Sequence, residues 1–294
     1  MSAVDDVGNG RRVQEEGSMP FKTIVAIVQS EQDAERVLDG AIALASRFKA
    51  HVIGVHAEAL PMPYTSATGF PDTEFMQVSA DLNKERSAKL RTVFQKKLQP
   101  SGLSFEWRAE ETFSGDSALS SLASVRTADI VVAAQRDADS DTNADIGSLV
   151  YDAGRPVLVV PHSGPIAASF RHVMLAWNGS REAARAAFDA LPFMIEAEKV
   201  EVFVVDPGED SDEEGLGGAG IAAALTRHGV KASVATRQAK GGTVEDAVQN
   251  RLVETGADLI VIGAYSHSWM HRLLYGGVTR TVLRSSPVTA FLSR

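Results

Sequence analysis

The sequence predicts two doubly wound α/β domains in one chain, each built on a mostly parallel five-stranded sheet. Three observations carry this reading. Short apolar runs alternate with segments of helical periodicity from residue 20 to the last residue. Runs such as Ile130-Val131-Val132 and Leu259-Ile260-Val261-Ile262-Gly263 are apolar without alternation, which suits strands buried on both faces. Strand–helix–strand repetition then implies parallel pairing with right-handed crossovers. Third, the pattern occurs twice. Phe21-Lys22-Thr23-Ile24-Val25-Ala26-Ile27 lies over Phe170-Arg171-His172-Val173-Met174-Leu175-Ala176, and the register runs without a gap through Ala34/Ala183, Arg36/Arg185 and Ala41/Ala190. Thr127-Ala128-Asp129-Ile130-Val131-Val132 matches Gly256-Ala257-Asp258-Leu259-Ile260-Val261, and Arg155-Pro156-Val157 matches Ser286-Pro287-Val288. The copies span about 20–163 and 168–294, and the join near His162-Ser163-Gly164-Pro165 is short and turn-rich.

In the first copy the strands fall at 22–28, 51–57, 103–110, 128–134 and 156–160. Helical spacing covers 31–49, 73–98 and 115–125, with a short helix near 146–152. In the second copy 172–177 is a short apolar, β-rich run. Residues 180–196 place Ala183, Ala187, Ala190, Leu191 and Met194 at helical spacing, and 200–205 is a strand. A helix at 216–228, a strand at 230–236 and a helix at 243–255 follow. The copy closes with a strand at 257–263, a helix over about 270–285 and a strand at 287–292. Residues 1–18 are polar and aperiodic, so 1–19 reads as a disordered extension, with Met19 a candidate native start.

Composition narrows the function classes. Of 294 residues 44% are apolar, enough for two sizeable cores, yet no run approaches the ~18 residues of a membrane helix. Without cysteine there is no disulfide, thiolate metal site or thiol nucleophile. A formal net charge of −9 argues against nucleic acid or anionic lipid as a partner, since both need a basic footprint. With no signal-like apolar stretch at its start, the chain reads as cytoplasmic.

Ligands of doubly wound sheets bind beyond the carboxyl ends of the strands, where the winding reverses. In the second copy that edge collects Asn178-Gly179-Ser180, Val205-Asp206 and Gly263-Ala264-Tyr265-Ser266-His267-Ser268, with Gly276-Gly277 completing the rim. Glycines admit close backbone approach, and free N–H groups at helix starts attract phosphate. The plainer alternative is that these glycines serve turns and helix packing.

Tandem copies ending in Gly263-x2-Ser266-x9-Gly276-Gly277, with a first strand leading into Trp177-Asn178-Gly179-Ser180, resemble the universal stress protein family. The resemblance covers essentially residues 20–294. It implies a Rossmann-like fold of the adenine nucleotide alpha hydrolase kind, edge-strand pairing of the two domains and adenine-nucleotide (ATP or AMP) binding. Nucleotide-binding members carry Gly, two residues, Gly, nine residues, then Gly followed by Ser or Thr. This chain departs from that pattern at Ser266, in place of the second Gly, and at Gly277, in place of Ser or Thr, with Thr279 close by. Asn178 replaces the family's Asp; this removes a charge that would repel phosphate and weakens a magnesium site, since Mg²⁺ favours carboxylates. The resemblance thus implies Asn178 and Val205 beside the adenosine, and Gly263, Ser266, His267, Gly276, Gly277 and Thr279 around the phosphates. The first copy has no such cradle. It reads Ala134-Gln135-Arg136-Asp137-Ala138-Asp139-Ser140-Asp141, whose carboxylates would meet phosphate with like charge, and only Gly147-Ser148 remains of the motif.

Other features invite weaker readings. His267 and His271 share a helical spacing but lack a third ligand in sequence. Arg272 and Arg280 are candidates for neutralising phosphate or for a solvated helix face. Lys240-Gly241-Gly242-Thr243 reads as a turn into a helix capped by Thr243. The acidic run 209–214 reads as a solvated loop at the ligand edge, and 60–76, rich in Pro, Met and aromatic residues, as a cover or contact surface. No G-x-S-x-G elbow, HExxH helix or G-x-G-x-x-G fingerprint is present. The reading is a stress-related binding protein with a candidate protein partner and a candidate homodimer, the alternatives being a nucleotide-independent adaptor and a slow ATPase.

Overall fold

The computed structural model describes residues 21–59, 73–112, 117–135, 146–164, 166–167, 169–205, 217–239, 241–265 and 277–294. The first half runs β1 (Thr23–Ile27), α1 (Glu31–Phe48), β2 (His51–Ala59), α2 (Thr73–Leu98), β3 (Phe105–Thr112), α3 (Ser117–Ser120), α4 (Leu122–Val125), β4 (Ile130–Ala134), α5 (Ile146–Asp152) and β5 (Val157–Val160). The second runs β6 (His172–Ala176), α6 (Arg181–Asp189), α7 (Leu191–Met194), β7 (Lys199–Val205), α8 (Ala219–Arg227), β8 (Ala232–Arg237), α9 (Val244–Thr255), β9 (Leu259–Gly263), α10 (Gly277–Ser285) and β10 (Thr289–Ser293). The ten strands form a single sheet in the order β3-β2-β1-β4-β5-β10-β9-β6-β7-β8. All pairings are parallel except β5 with β10. The fold is therefore the mixed α/β, mostly parallel architecture expected.

Alternate residues of each central strand feed opposite cores. Ile24 and Ala26 pack on the face of α1 and α6, while Val25 and Ile27 pack on the face of α5, α9 and α10. The register of the repeat is visible in burial: Ala34, Val37, Leu38 and Ala41 of α1 are buried, as are Ala183, Ala186, Ala187 and Ala190, each 149 residues on. The repeated Ala-Asp pair also has a cause. The Asp129 carboxylate accepts from the amides of Lys22 (2.7 Å) and Thr23 (2.9 Å), and Asp258 accepts from Arg171 (2.9 Å) and His172 (3.0 Å). Each aspartate thus pins the start of its half's first strand.

Two expected helices are broken. The segment 180–196 divides at Ala190 into α6 and α7, because Pro192 in the first turn of α7 has no N–H to continue the ladder. The segment 115–125 divides at Ser121, whose hydroxyl donates to the Ala118 carbonyl at 2.6 Å and competes with the helical bonds. The helix expected from about 270 is described from Gly277.

The halves meet where β5 and β10 pair, with Val157 opposite Leu292, Leu158 opposite Phe291 and Val159 opposite Ala290. On one face Phe193 is the hub of an aromatic cluster. Its ring lies 5.6 Å from Phe21, 5.4 Å from Phe170 and 5.8 Å from Phe291. Arg47 covers the cluster, its guanidinium 4.8 Å from the Phe48 ring and paired with Glu196 at 2.6 Å. On the other face the buried Gln135 side chain crosses the joint and donates to the carbonyls of Val282 (3.0 Å) and Ser286 (3.2 Å) at the end of α10. Among the described residues, no helix is long and apolar enough to cross a membrane.

Phe193→Ala removes a fully buried ring shared by both halves, and the expected cost is about 3–5 kcal/mol in urea unfolding. Val253→Ala, at a side chain 75% exposed, is expected to stay within about 0.5 kcal/mol.

Candidate functional site

In the second half β6 lies between β9 and β7. The chain winds from β6 outward to β7 and β8 and then returns to β9 on the other side, so the winding reverses between β6 and β9. The carboxyl ends of β9, β6 and β7 consequently lie side by side and carry Gly263, Asn178 and Val205 to one edge. Arg237, at the end of β8, stands in register with Val205, and its guanidinium is held by Glu254 at 2.9 Å.

The turn leaving β6 is tightly specified. Gly179 takes a positive φ of 71°, open to glycine without strain. The Asn178 Oδ1 accepts from the Ser180 amide (3.1 Å) and hydroxyl (2.7 Å), and the Ser180 hydroxyl oxygen accepts from the Ala183 amide (3.1 Å) as helix cap. In the first half Ser30 caps α1 in the same way, so this turn is one residue longer in the second half. Beside it, the Trp177 indole N–H is buried without an acceptor among the described residues.

Gly263 has a packing cause of its own. A Cβ there would stand 2.2 Å from the Ala183 amide nitrogen and 2.4 Å from the Glu182 carbonyl carbon. The end of β9 therefore lies directly on the first turn of α6, which only glycine allows. Of the remaining expected site residues, Gly277 opens α10 and Thr279 is buried within it. Ser266, His267 and Gly276 lie outside the described residues, as do His271, Arg272, Lys240, residues 209–214, residues 60–72 and Asp137, Asp139 and Asp141. Thr243 caps α9 in a reciprocal box with Asp246, as its sequence context suggested. No group of three or more His, Asp or Glu side chains suited to a metal ion occurs among the described residues.

The matching edge of the first half is built differently. Gln29 straps the ends of β1 and β2 together: its Nε2 donates to the Ala57 carbonyl at 2.9 Å and its Oε1 accepts from the Ala57 amide at 3.2 Å. Gln135 stands one residue past β4 and is spent on α10. On β2 the buried His56 faces the Val28 carbonyl with Nδ1 (2.9 Å) and Glu58 with Nε2 (3.1 Å), while Arg86 of α2 donates to the same carboxylate. Sequence reading missed this trio because Arg86 comes from a distant helix. The signal within reach was His56-x-Glu58, two polar residues on one face of an otherwise apolar strand. Burial pushes the Glu58 carboxyl up, and the hydrogen bonds and charges of His56 and Arg86 outweigh it, holding the group below its ordinary 4.5.

Residues 169–294 match the model of the Universal stress protein family. No curated protein matches the sequence. Among solved structures the chain is similar to a universal stress protein from Archaeoglobus fulgidus, with a TM-score of 0.67 at 16% identity over 95% of this chain and 99% of that one. It is also similar to a protein from Pseudomonas aeruginosa described as a putative universal stress protein, with a TM-score of 0.59 at 14% identity over 94% of each chain. At these identities the likeness is one of fold, and it extends through both halves.

Gly263→Ala must displace the first turn of α6, and the expected loss is about 1–3 kcal/mol in denaturant unfolding. A depressed folded-state carboxyl contributes stability above its unfolded value and loses it as pH falls through the folded one. Stability measured from pH 7 downward is therefore expected to fall below about pH 4.5 more steeply than in the Glu58→Gln variant.

Proposed function

We propose that the chain is a tandem universal-stress-type protein, with domains at 20–163 and 168–294, that binds an adenine nucleotide in its second domain. Its role would be regulatory or protective under stress, exerted through binding rather than turnover. The observation that carries this reading is the reversal of winding at β6 and β9. It brings Asn178, Val205 and Gly263 together in the half that matches the family model.

Asn178 and Val205 would flank the adenosine of ATP or AMP. The backbones of Gly263, Ser266, His267, Gly276 and Gly277 would surround the phosphates, with Thr279 nearby. Two features support the fit. Gly277 opens a helix of nine residues, whose first amides suit an anion, and the Trp177 N–H is a buried donor beside Asn178. With Asn in place of Asp, the edge offers phosphate an amide rather than a carboxylate; magnesium, if present, would lean on the phosphates. The first domain would serve as structural partner, its edge strapped by Gln29 and Gln135.

A second reading, a nucleotide-independent adaptor, is favoured by two facts. Packing on Ala183 already accounts for Gly263, and the Asn178 Oδ1 is engaged by Ser180. Mass spectrometry of freshly purified, denatured protein separates the two. Co-purified ATP or AMP, with calorimetric binding of one nucleotide per chain that Val205→Arg abolishes, is the expected result. Empty protein with no ATP-induced thermal shift would leave the adaptor.

A further inference from the structure

We infer a second binding site, adjoining the nucleotide edge: a cationic cavity at the joint between the halves that takes a compact phosphate-bearing anion of the pyrophosphate or tripolyphosphate class. The cavity has a volume of about 490 Å³, and Tyr151, Asp152, Arg155, Arg181, Arg185 and Arg294 are among the residues that line it. Four guanidiniums in one cavity stand out in a chain whose net charge is −9.

The topology explains their convergence. Because β10 runs antiparallel to β5, Arg294 after β10 arrives beside the turn that enters β5, where Arg155 stands. Arg181 and Arg185 are four apart on α6 and so share a face of that helix. Each half contributes arginines, and neither half alone holds the cavity.

The charges are unevenly answered. Arg181 pairs with Glu182 at 2.8 Å and Arg185 with Asp189 at 2.8 Å. Asp152 is a further carboxylate on the wall. Among the described residues, no carboxylate pairs with Arg155 or Arg294. Arg294 is set in place by stacking: its guanidinium lies 3.5 Å from the centre of the Tyr151 ring, and Nη1 donates to the Tyr151 carbonyl at 3.0 Å. Its Nε is buried with no acceptor. An oriented, incompletely bonded guanidinium beside an exposed one suits phosphate oxygens, which accept paired N–H groups. A cavity of about 490 Å³ suits a short anion better than a long polyanion.

The repeat provides an internal comparison. Arg36, the counterpart of Arg185, donates to the carbonyls of Pro161 (2.7 Å) and Gly164 (3.0 Å) in the linker. Beside it, the Ile166 Cγ2 lies 3.6 Å from where a Cβ on Gly40 would be. The linker thus occupies the related position in the first half, whereas Arg185 faces a cavity.

Isothermal titration of the full chain with sodium tripolyphosphate and with pyrophosphate tests the site. One equivalent is expected to bind, more weakly as salt rises, and the Arg155→Gln/Arg294→Gln variant to bind at least roughly tenfold more weakly. Arg155→Gln alone, at an exposed side chain, guards against a folding defect, and its affinity is also expected to fall. Retained affinity in both variants, or absence of binding by the parent chain, would overturn the site. ATP and AMP are titrated in parallel with Val205→Arg. Loss of nucleotide with tripolyphosphate retained supports two separate sites; loss of both shows that the phosphate belongs to the nucleotide edge and sinks the inference.

Discussion

The arrangement of the molecule depends on one short antiparallel pairing. Val157, Leu158 and Val159 meet Leu292, Phe291 and Ala290, and two parallel sheets become a single ten-stranded sheet. Without it each half would present an apolar edge strand with unpaired amides, a template for association. The pairing is backed on one face by the ring cluster around Phe193 and on the other by Gln135 reaching the end of α10. It also sets the arginine cavity, since antiparallel pairing is what brings the end of β10 to the start of β5.

Much of the fold was legible in the residues because the signals were local. Uninterrupted apolar runs marked buried parallel strands, and helical spacing placed α1, α2 and α9 to within a residue or two. The repeat reached further, since the matched Asp129 and Asp258 turned out to hold matching strand starts. The features that escaped depend on distant partners. Pro192 divides the segment 180–196, although the apolar spacing on either side of it reads as one helix. His56 and Glu58 gain meaning only from Arg86 on α2, and Arg155 and Arg294 only from β5 lying against β10. Gly263 admits two readings in sequence, a ligand-side glycine or one that serves helix packing, and its contact with Ala183 supplies the packing cause.

The two halves share a plan and use it unequally. The first closes its strand ends with side-chain amides and a buried His56–Glu58 pair met by the exposed Arg86. The second closes them with glycine, asparagine and a serine cap, which leave backbone at the surface of the edge. A like division appears at the joint, where the linker lies on α1 of one half and the cavity opens beside α6 of the other. The two halves keep the same order of strands, while both their edges and their core side chains differ, Val37 and Leu38 of α1 standing where α6 has Ala186 and Ala187.

The position of β10 has a consequence for assembly of the chain. It follows every other described strand in sequence, yet it is sixth of ten across the sheet, between β5 and β9. The centre of the sheet is therefore completed after both of its flanks. Until β10 docks, β5 and β9 are open edges facing one another, and the closing contacts join residues more than a hundred positions apart, which slows folding. Losing the last few residues of this strand would split the protein through its middle, whereas trimming β3 or β8 would only narrow it.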